Sequence, residues 1–319
     1  MRRALTTLIV LFLVMGGTPT ITAGAQIATP DVGDLKLDTD AGSNSFVFHD
    51  AEGVELATYT VMEVFDPFEE TGQGFVPAEG AHPVMVQVQV ENTGETSFAV
   101  QPQYIIVQDT DGYLWRPSNI ARDAEDIVIP DLQYVFIAPG DRVTGMVPFQ
   151  LPDAVDVAAV LLNPESSRLL TIARVADAAT MPANLNEAIP FTTPETGGEG
   201  EITITEFEDP FEDFPEGRDP EPDTRYVLLE VTIENTGDVG LDVTPGAFVV
   251  HDVNGYLWNY RTPPREPDAA VPDLTSQQLA PGSRISGVVG FVLPDDVGIA
   301  AIVYQPESSR LITLFEAAS

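Results

Sequence analysis

The side chains with chemistry to offer are few. Imidazole is limited to His49, His82 and His251, and the chain has no cysteine. Zinc and copper centres draw on several imidazole or thiolate ligands, so this stock argues against one. His82 is expected in a loop remote from other ligands. Ser166 and Ser167 are candidate nucleophiles, yet no G-x-S-x-G elbow surrounds any serine. A hydrolase with an unrecognised site is therefore the third of three readings. Carboxylates are the richest resource. Asp66, Glu69 and Glu70 lie in one acidic run and Asp209, Glu212 and Asp213 in another, the second extended by Glu208, Glu216, Asp219, Glu221 and Asp223. Calcium takes roughly six to eight oxygen ligands in irregular geometry, which makes those six residues the calcium candidates. The competing reading is a solvated loop in a chain that is acidic throughout. The only two tryptophans fall in Tyr113-Leu114-Trp115 and Tyr256-Leu257-Trp258. Core packing is expected of them rather than an exposed glycan or peptide platform.

These candidates sit in a chain of 319 residues with 14 Lys+Arg against 50 Asp+Glu, a formal net charge of −36. Lys36 is the only lysine. Nucleic acid and anionic membrane surfaces need clustered cations, so neither is a partner for this composition. Without cysteine there are no disulfides, and stability must come from packed cores. The first 25 residues have the form of a signal peptide: Arg2 and Arg3, an apolar run from Leu8 to Met15, and Ala23-Gly24-Ala25 as the cleavage site. That run is far shorter than the roughly 20 residues a membrane span requires, so export without membrane insertion is expected.

The elements that must position the candidates come in duplicate. Pro164-Glu165-Ser166-Ser167-Arg168 recurs as Pro306-Glu307-Ser308-Ser309-Arg310. Glu91-Asn92-Thr93-Gly94 recurs as Glu234-Asn235-Thr236-Gly237, an offset of 235 − 92 = 143, and Asp66-Pro67-Phe68-Glu69 recurs as Asp209-Pro210-Phe211-Glu212 at the same offset. Past the tryptophan the offset falls by one: Pro130-Asp131-Leu132 matches Pro272-Asp273-Leu274. So long a period describes whole domains, not solenoid units. The chain divides into a signal peptide (1–25), a flexible leader (26–45), copy 1 (46–175), a linker (176–188) and copy 2 (189–319).

Within each copy the periodicity is that of strands. Val84, Val86, Val88 and Val90 alternate with Met85, Gln87 and Gln89, and Val227, Leu229, Val231 and Ile233 alternate with Leu228, Glu230 and Thr232. Short β-branched runs separated by Pro, Gly, Asn and Asp follow, with no amphipathic helix. Asp111-Gly112 and Asn254-Gly255 predict type I′ hairpins. In PESSR the proline and serines predict a turn, with Glu165 and Arg168 paired across it. The fold class expected is all-β: two tandem immunoglobulin-like antiparallel β-sandwiches.

Val90-Glu91-Asn92-Thr93-Gly94, the Asp/Asn-Gly-Tyr hairpin, the stretch Leu279 to Phe291 (Ile137 to Phe149 in copy 1) and Leu293-Pro294-Asp295 also resemble a known family. It is the bacterial secreted immunoglobulin-like domains of domain-of-unknown-function family 4352, similar to the sandwich of a mycobacterial secreted immunogenic protein. The resemblance implies a fold and brings no catalytic or ligand-binding residues. The leading functional reading is a secreted, non-enzymatic binding or interaction protein. Its partner would be an extracellular protein or glycan, met through loops such as Arg116 to Ile129. No cofactor is expected unless calcium binds, in which case the acidic loops would stabilise a cell-envelope or adhesion module.

Overall fold

The computed structural model describes residues 44–123, 127–175, 185–193, 196–266 and 269–316. The signal peptide and most of the leader and linker lie outside the described residues.

The period-2 runs form strands, and the duplication in sequence is a duplication in topology. The first half contains β1 (Ser45–His49), β2 (Glu55–Phe65), β3 (Ala81–Glu91), β4 (Phe98–Val100), β5 (Ile105–Asp109), β6 (Leu114–Trp115), β7 (Val135–Ile137), β8 (Arg142–Pro152), β9 (Val157–Glu165) and β10 (Arg168–Arg174). The second half contains β11 (Ala188–Thr193), β12 (Gly198–Glu208), β13 (Thr224–Asn235), β14 (Leu241–Val243), β15 (Phe248–Asp252), β16 (Leu257–Asn259), β17 (Gln277–Leu279), β18 (Arg284–Pro294), β19 (Ile299–Glu307) and β20 (Arg310–Glu316). One antiparallel sheet runs β1-β2-β3-β8 and its counterpart β11-β12-β13-β18; a second runs β10-β9-β5-β6 and its counterpart β16-β15-β19-β20. The short pairs β4-β7 and β14-β17 complete the two halves. The protein is an all-β sandwich.

Each half has its own apolar core between its two larger sheets. Val84, Val86 and Val88 of β3 meet Val107, Val160 and Ile172 from the opposing sheet in the first half. In the second half Leu229, Val231 and Ile233 of β13 meet Val250, Ile302 and Leu314. The alternation in β3 predicts only one buried face, but Met85 and Gln87 are buried too. The loops explain this. Phe68 and Ile120 fold over the outer face of the sheet and pack on Met85 and Met146, and Phe211 packs likewise on Leu228 and Val288.

The Glu-Asn-Thr-Gly motif now has a physical reason. Asn92 is fully buried at the end of β3; its Nδ2 donates to the carbonyls of Thr96 and Ile137, both at 2.8 Å, and its Oδ1 accepts from Gly94 N at 3.0 Å. Asn235 makes the same three bonds, to Val239, Leu279 and Gly237. One amide thus satisfies backbone groups that a buried strand end would otherwise leave unpaired.

Candidate functional site

The duplicated motifs meet each other. In the first half Asp109 closes the hairpin between β5 and β6: its Oδ1 accepts from Asp111 N at 2.9 Å and Tyr113 N at 2.8 Å, and its Oδ2 from the Trp115 indole at 2.7 Å. Asp252 repeats this with Asn254, Tyr256 and Trp258, each at 2.8 Å. Burial pushes the Asp109 carboxyl up, and the indole and backbone N–H donors pull it back down. The turns are not type I′, which needs two residues with positive φ. Only the glycines, Gly112 (φ 88) and Gly255 (φ 85), are in the left-handed region. The four-residue turn from Asp109 to Gly112, closed by Gly112 N to Asp109 O at 3.0 Å, is the longer hairpin in which an Asx cap replaces a second left-handed residue.

Each hairpin then docks on the Pro-Glu-Ser-Ser-Arg turn of the other half. Arg168 does not pair with Glu165 as the spacing predicts. Its buried guanidinium crosses to the second half, donating to Asn254 O at 3.2 Å and lying 4.9 Å from the Tyr256 ring centre, while a further bond at 2.9 Å reaches His49 O. Arg310 mirrors it with a bond to Asp111 O at 2.9 Å, a ring contact to Tyr113 at 4.8 Å and a bond to Thr192 O. A surface ion pair with glutamate would return little. Backbone carbonyls and aromatic faces offer a buried cation several partners at once. Added carbon on either glycine would clash: a Cβ on Gly112 would fall 2.5 Å from Leu311 O, and one on Gly255 would fall 2.8 Å from Leu169 O. This contact, not the turn alone, accounts for glycine at both sites.

The six calcium candidates are not brought together. Asp66 turns inward, accepting from His82 Nε2 at 2.6 Å and from Val157 N at 2.8 Å. Burial raises its carboxyl, opposed by the Val157 N–H and by His82. Asp209 is held by Arg225, which stands at the position equivalent to His82, with bonds of 2.5 and 3.1 Å. Glu69, Glu70, Glu212 and Asp213 are exposed. Among the described residues no three His, Asp or Glu side chains are grouped to hold a metal ion. Two of the three histidines are engaged by protein groups. His82 lies in β3, not in a loop, between Asp66 and Asp153, and His251 Nε2 bonds Leu169 O at 2.7 Å. Ser167 and Ser309 enter the clasp through their carbonyls, which accept from Leu257 N at 2.8 Å and Leu114 N at 2.6 Å.

The described residues after Trp115 are tied to the body. Arg122 ties them by bonds to Ile129 O at 3.0 Å and Asp131 Oδ1 at 2.5 Å, and Arg265 does the same with Val271 O and Asp273. What differs between the halves lies just beyond. Tyr134 and Phe136 are 57% and 62% exposed, and their rings meet edge to face at 5.4 Å. They flank Val135 on β7, the strand that pairs with β4. The equivalent residues around β17 are Ser276 and Gln278. Glutamines lie near the aromatic pair: Gln133 precedes it, and Gln101 and Gln103, bonded to each other at 2.6 Å, follow Val100, the register partner of Val135. Sequence reasoning missed this pair, although aligning the two copies residue by residue at an offset of 276 − 134 = 142 shows aromatic against polar at outward positions.

The architecture defines a duplicated all-β sandwich protein whose repeated motifs clasp one another. Residues 196–310 match the family described as Domain of unknown function (DUF4352). Among solved structures, the yjhA protein from Bacillus subtilis is 19% identical, covering 41% of this chain and 84% of its own, with a TM-score of 0.29. The ycdA protein, a putative lipoprotein from Bacillus subtilis subsp. subtilis str. 168, is 16% identical over 37% of this chain and 36% of its own, with a TM-score of 0.30. This chain thus spans well under half of the ycdA protein. No curated protein matches the chain.

Proposed function

We propose that the chain is a secreted, non-enzymatic binding protein of two immunoglobulin-like domains, and that the Tyr134–Phe136 pair is its contact with a neutral glycan outside the cell. The observation that carries the reading is the placement of two large aromatic rings in solvent at positions where the second half has serine and glutamine. Exposed aromatic side chains cost solubility without gaining burial, so an adjacent pair is a mark of contact. Ring faces stack on the C–H face of a sugar, and the neighbouring glutamine amides supply both donors and acceptors for hydroxyls. The formal charge of −36 disfavours an anionic ligand. Export rests on the N-terminal Arg2-Arg3, apolar run and Ala-Gly-Ala pattern.

The test uses the mature protein and the double variant Tyr134→Ser, Phe136→Gln, which installs the residues the second half already carries. Both are passed over a panel of insoluble neutral polysaccharides and over beads coated with envelope proteins. Retention of the wild type on a polysaccharide, lost in the variant at unchanged melting temperature, supports the reading. Equal retention of both refutes the site, and retention on protein beads alone refutes the glycan.

A further inference from the structure

The clasp has a symmetry that two unlike surfaces would not produce. Leu169 N donates to Gly255 O at 2.7 Å, and Leu311 N donates to Gly112 O at 2.9 Å. Leu257 N to Ser167 O is matched by Leu114 N to Ser309 O. Single β-bridges join Arg168 to Tyr256 and Tyr113 to Arg310. Even the side chains beneath are exchanged in kind: His251 bonds Leu169 O, and at the equivalent position Gln108 Nε2 donates to Leu311 O at 3.1 Å. The apolar cluster under these bonds draws Ala159, Leu161 and Leu169 from the first half and their counterparts Ala301, Val303 and Leu311 from the second. Residue i meets j and the copy of j meets the copy of i, which is the rule of an isologous, two-fold contact.

We infer that the two halves form within one chain an isologous dimer, and that the partner this face is shaped for is a second copy of the same domain. The contact holds the halves together by its own affinity, with the connection at 176–184 serving only to raise the local concentration. It buries two arginines against aromatic rings and carbonyls over an apolar centre, the composition of an energetic hot spot. A domain of this kind occurring singly would pair with itself through the same turn and hairpin.

The experiment starts from the full mature chain with a protease recognition sequence placed within 176–184. After cleavage, sedimentation is measured at micromolar concentration. The nicked wild type is expected to sediment as one particle of the uncut mass. The nicked Arg168→Ala, Arg310→Ala variant is expected to separate into half-mass species, its dissociation constant raised roughly 100-fold or more. Separation of the nicked wild-type halves at micromolar concentration, folded or not, would overturn the inference, because the covalent connection would then be what holds them. Should the arginine variant fail to fold, Tyr113→Ala, Tyr256→Ala removes both ring faces from the same contacts, and a nicked form that stays together as tightly as the wild type would equally count against it.

Discussion

Replacing Arg168 by alanine tests whether the clasp, rather than the two cores alone, carries stability. The side chain is buried, donates to Asn254 O and His49 O, and has the Phe48 and Tyr256 rings 5.2 and 4.9 Å from its guanidinium carbon. Hydrogen bonds from a charged donor contribute about 1.5–3 kcal/mol each, and a desolvated ring contact about 1–2 kcal/mol. These overlap, since one cation serves all four partners and its own desolvation opposes them. A net loss of roughly 3–5 kcal/mol is expected, near the upper end for single substitutions. Urea unfolding followed by tryptophan fluorescence reads it directly, because Trp115 and Trp258 report on one half each. The variant should show a lower midpoint and, with the halves uncoupled, two separable transitions where the wild type shows one. Arg168→Lys keeps the charge but not the planar fork, and should recover less than half of the loss. A cost below about 1 kcal/mol, with a single transition retained, would refute the reasoning; that is the range of an exposed ion pair.

Three further outcomes follow from the same geometry. His251 donates from its neutral ring to Leu169 O, and burial pushes its pKa below the ordinary value of 6.5. A depressed value means the unfolded chain takes up a proton that the folded one refuses, so the contribution is complete above about pH 6.5 and is lost as the pH falls through the depressed value. Arg174 disfavours the charged ring and Asp252 favours it, so the slope belongs to the group as a whole. Melting temperatures of wild type and His251→Gln should therefore diverge between about pH 7.5 and 5, the glutamine variant, with the residue type found at Gln108, losing less; parallel curves would remove His251 from the account. Asn92→Asp replaces an amide donor with a carboxylate facing two carbonyls and should lower stability at neutral pH by about 3 kcal/mol or more in chemical denaturation, with partial recovery in acid; a neutral substitution would contradict the three-bond staple. Calcium added to the mature protein should shift the melting temperature no more than sodium at matched ionic strength, because His82 and Arg225 already hold Asp66 and Asp209. A saturable shift would restore the acidic loops as a metal site.

Much of the fold was legible because strand periodicity and turn chemistry are local. Val84 to Val90 announces a strand by alternation alone, and Asn-Thr-Gly announces its end. What the sequence concealed depends on partners far along the chain. Glu165 and Arg168, three residues apart, look like a pair by spacing, whereas the true partners of Arg168 are Asn254 and Tyr256 in the other half. Asp66 looks like a cation ligand by composition, and only the register of β3 brings His82 beside it. The exposed aromatic pair was hidden for another reason: Tyr134-Val135-Phe136 reads as any half-buried strand, and nothing local says that its outward face is the aromatic one.

The two copies constrain one another in a way that separates residues the fold holds from those it leaves free to vary. A residue in the clasp acts on its counterpart's surroundings, so a change in one arginine or one glycine unbalances a contact whose mirror image remains; identity is kept at Arg168 and Arg310, Gly112 and Gly255, Tyr113 and Tyr256. Where the demand is only for a donor, identity relaxes: His251 answers Gln108, and Arg225 answers His82. Where the residue faces solvent and touches neither core nor clasp, nothing holds the copies together, and Tyr134 and Phe136 stand against Ser276 and Gln278. Duplication inside one chain thus supplies its own internal control. The positions that match are those needed to build the body, and an aromatic pair present in only one copy is required by the fold of neither half.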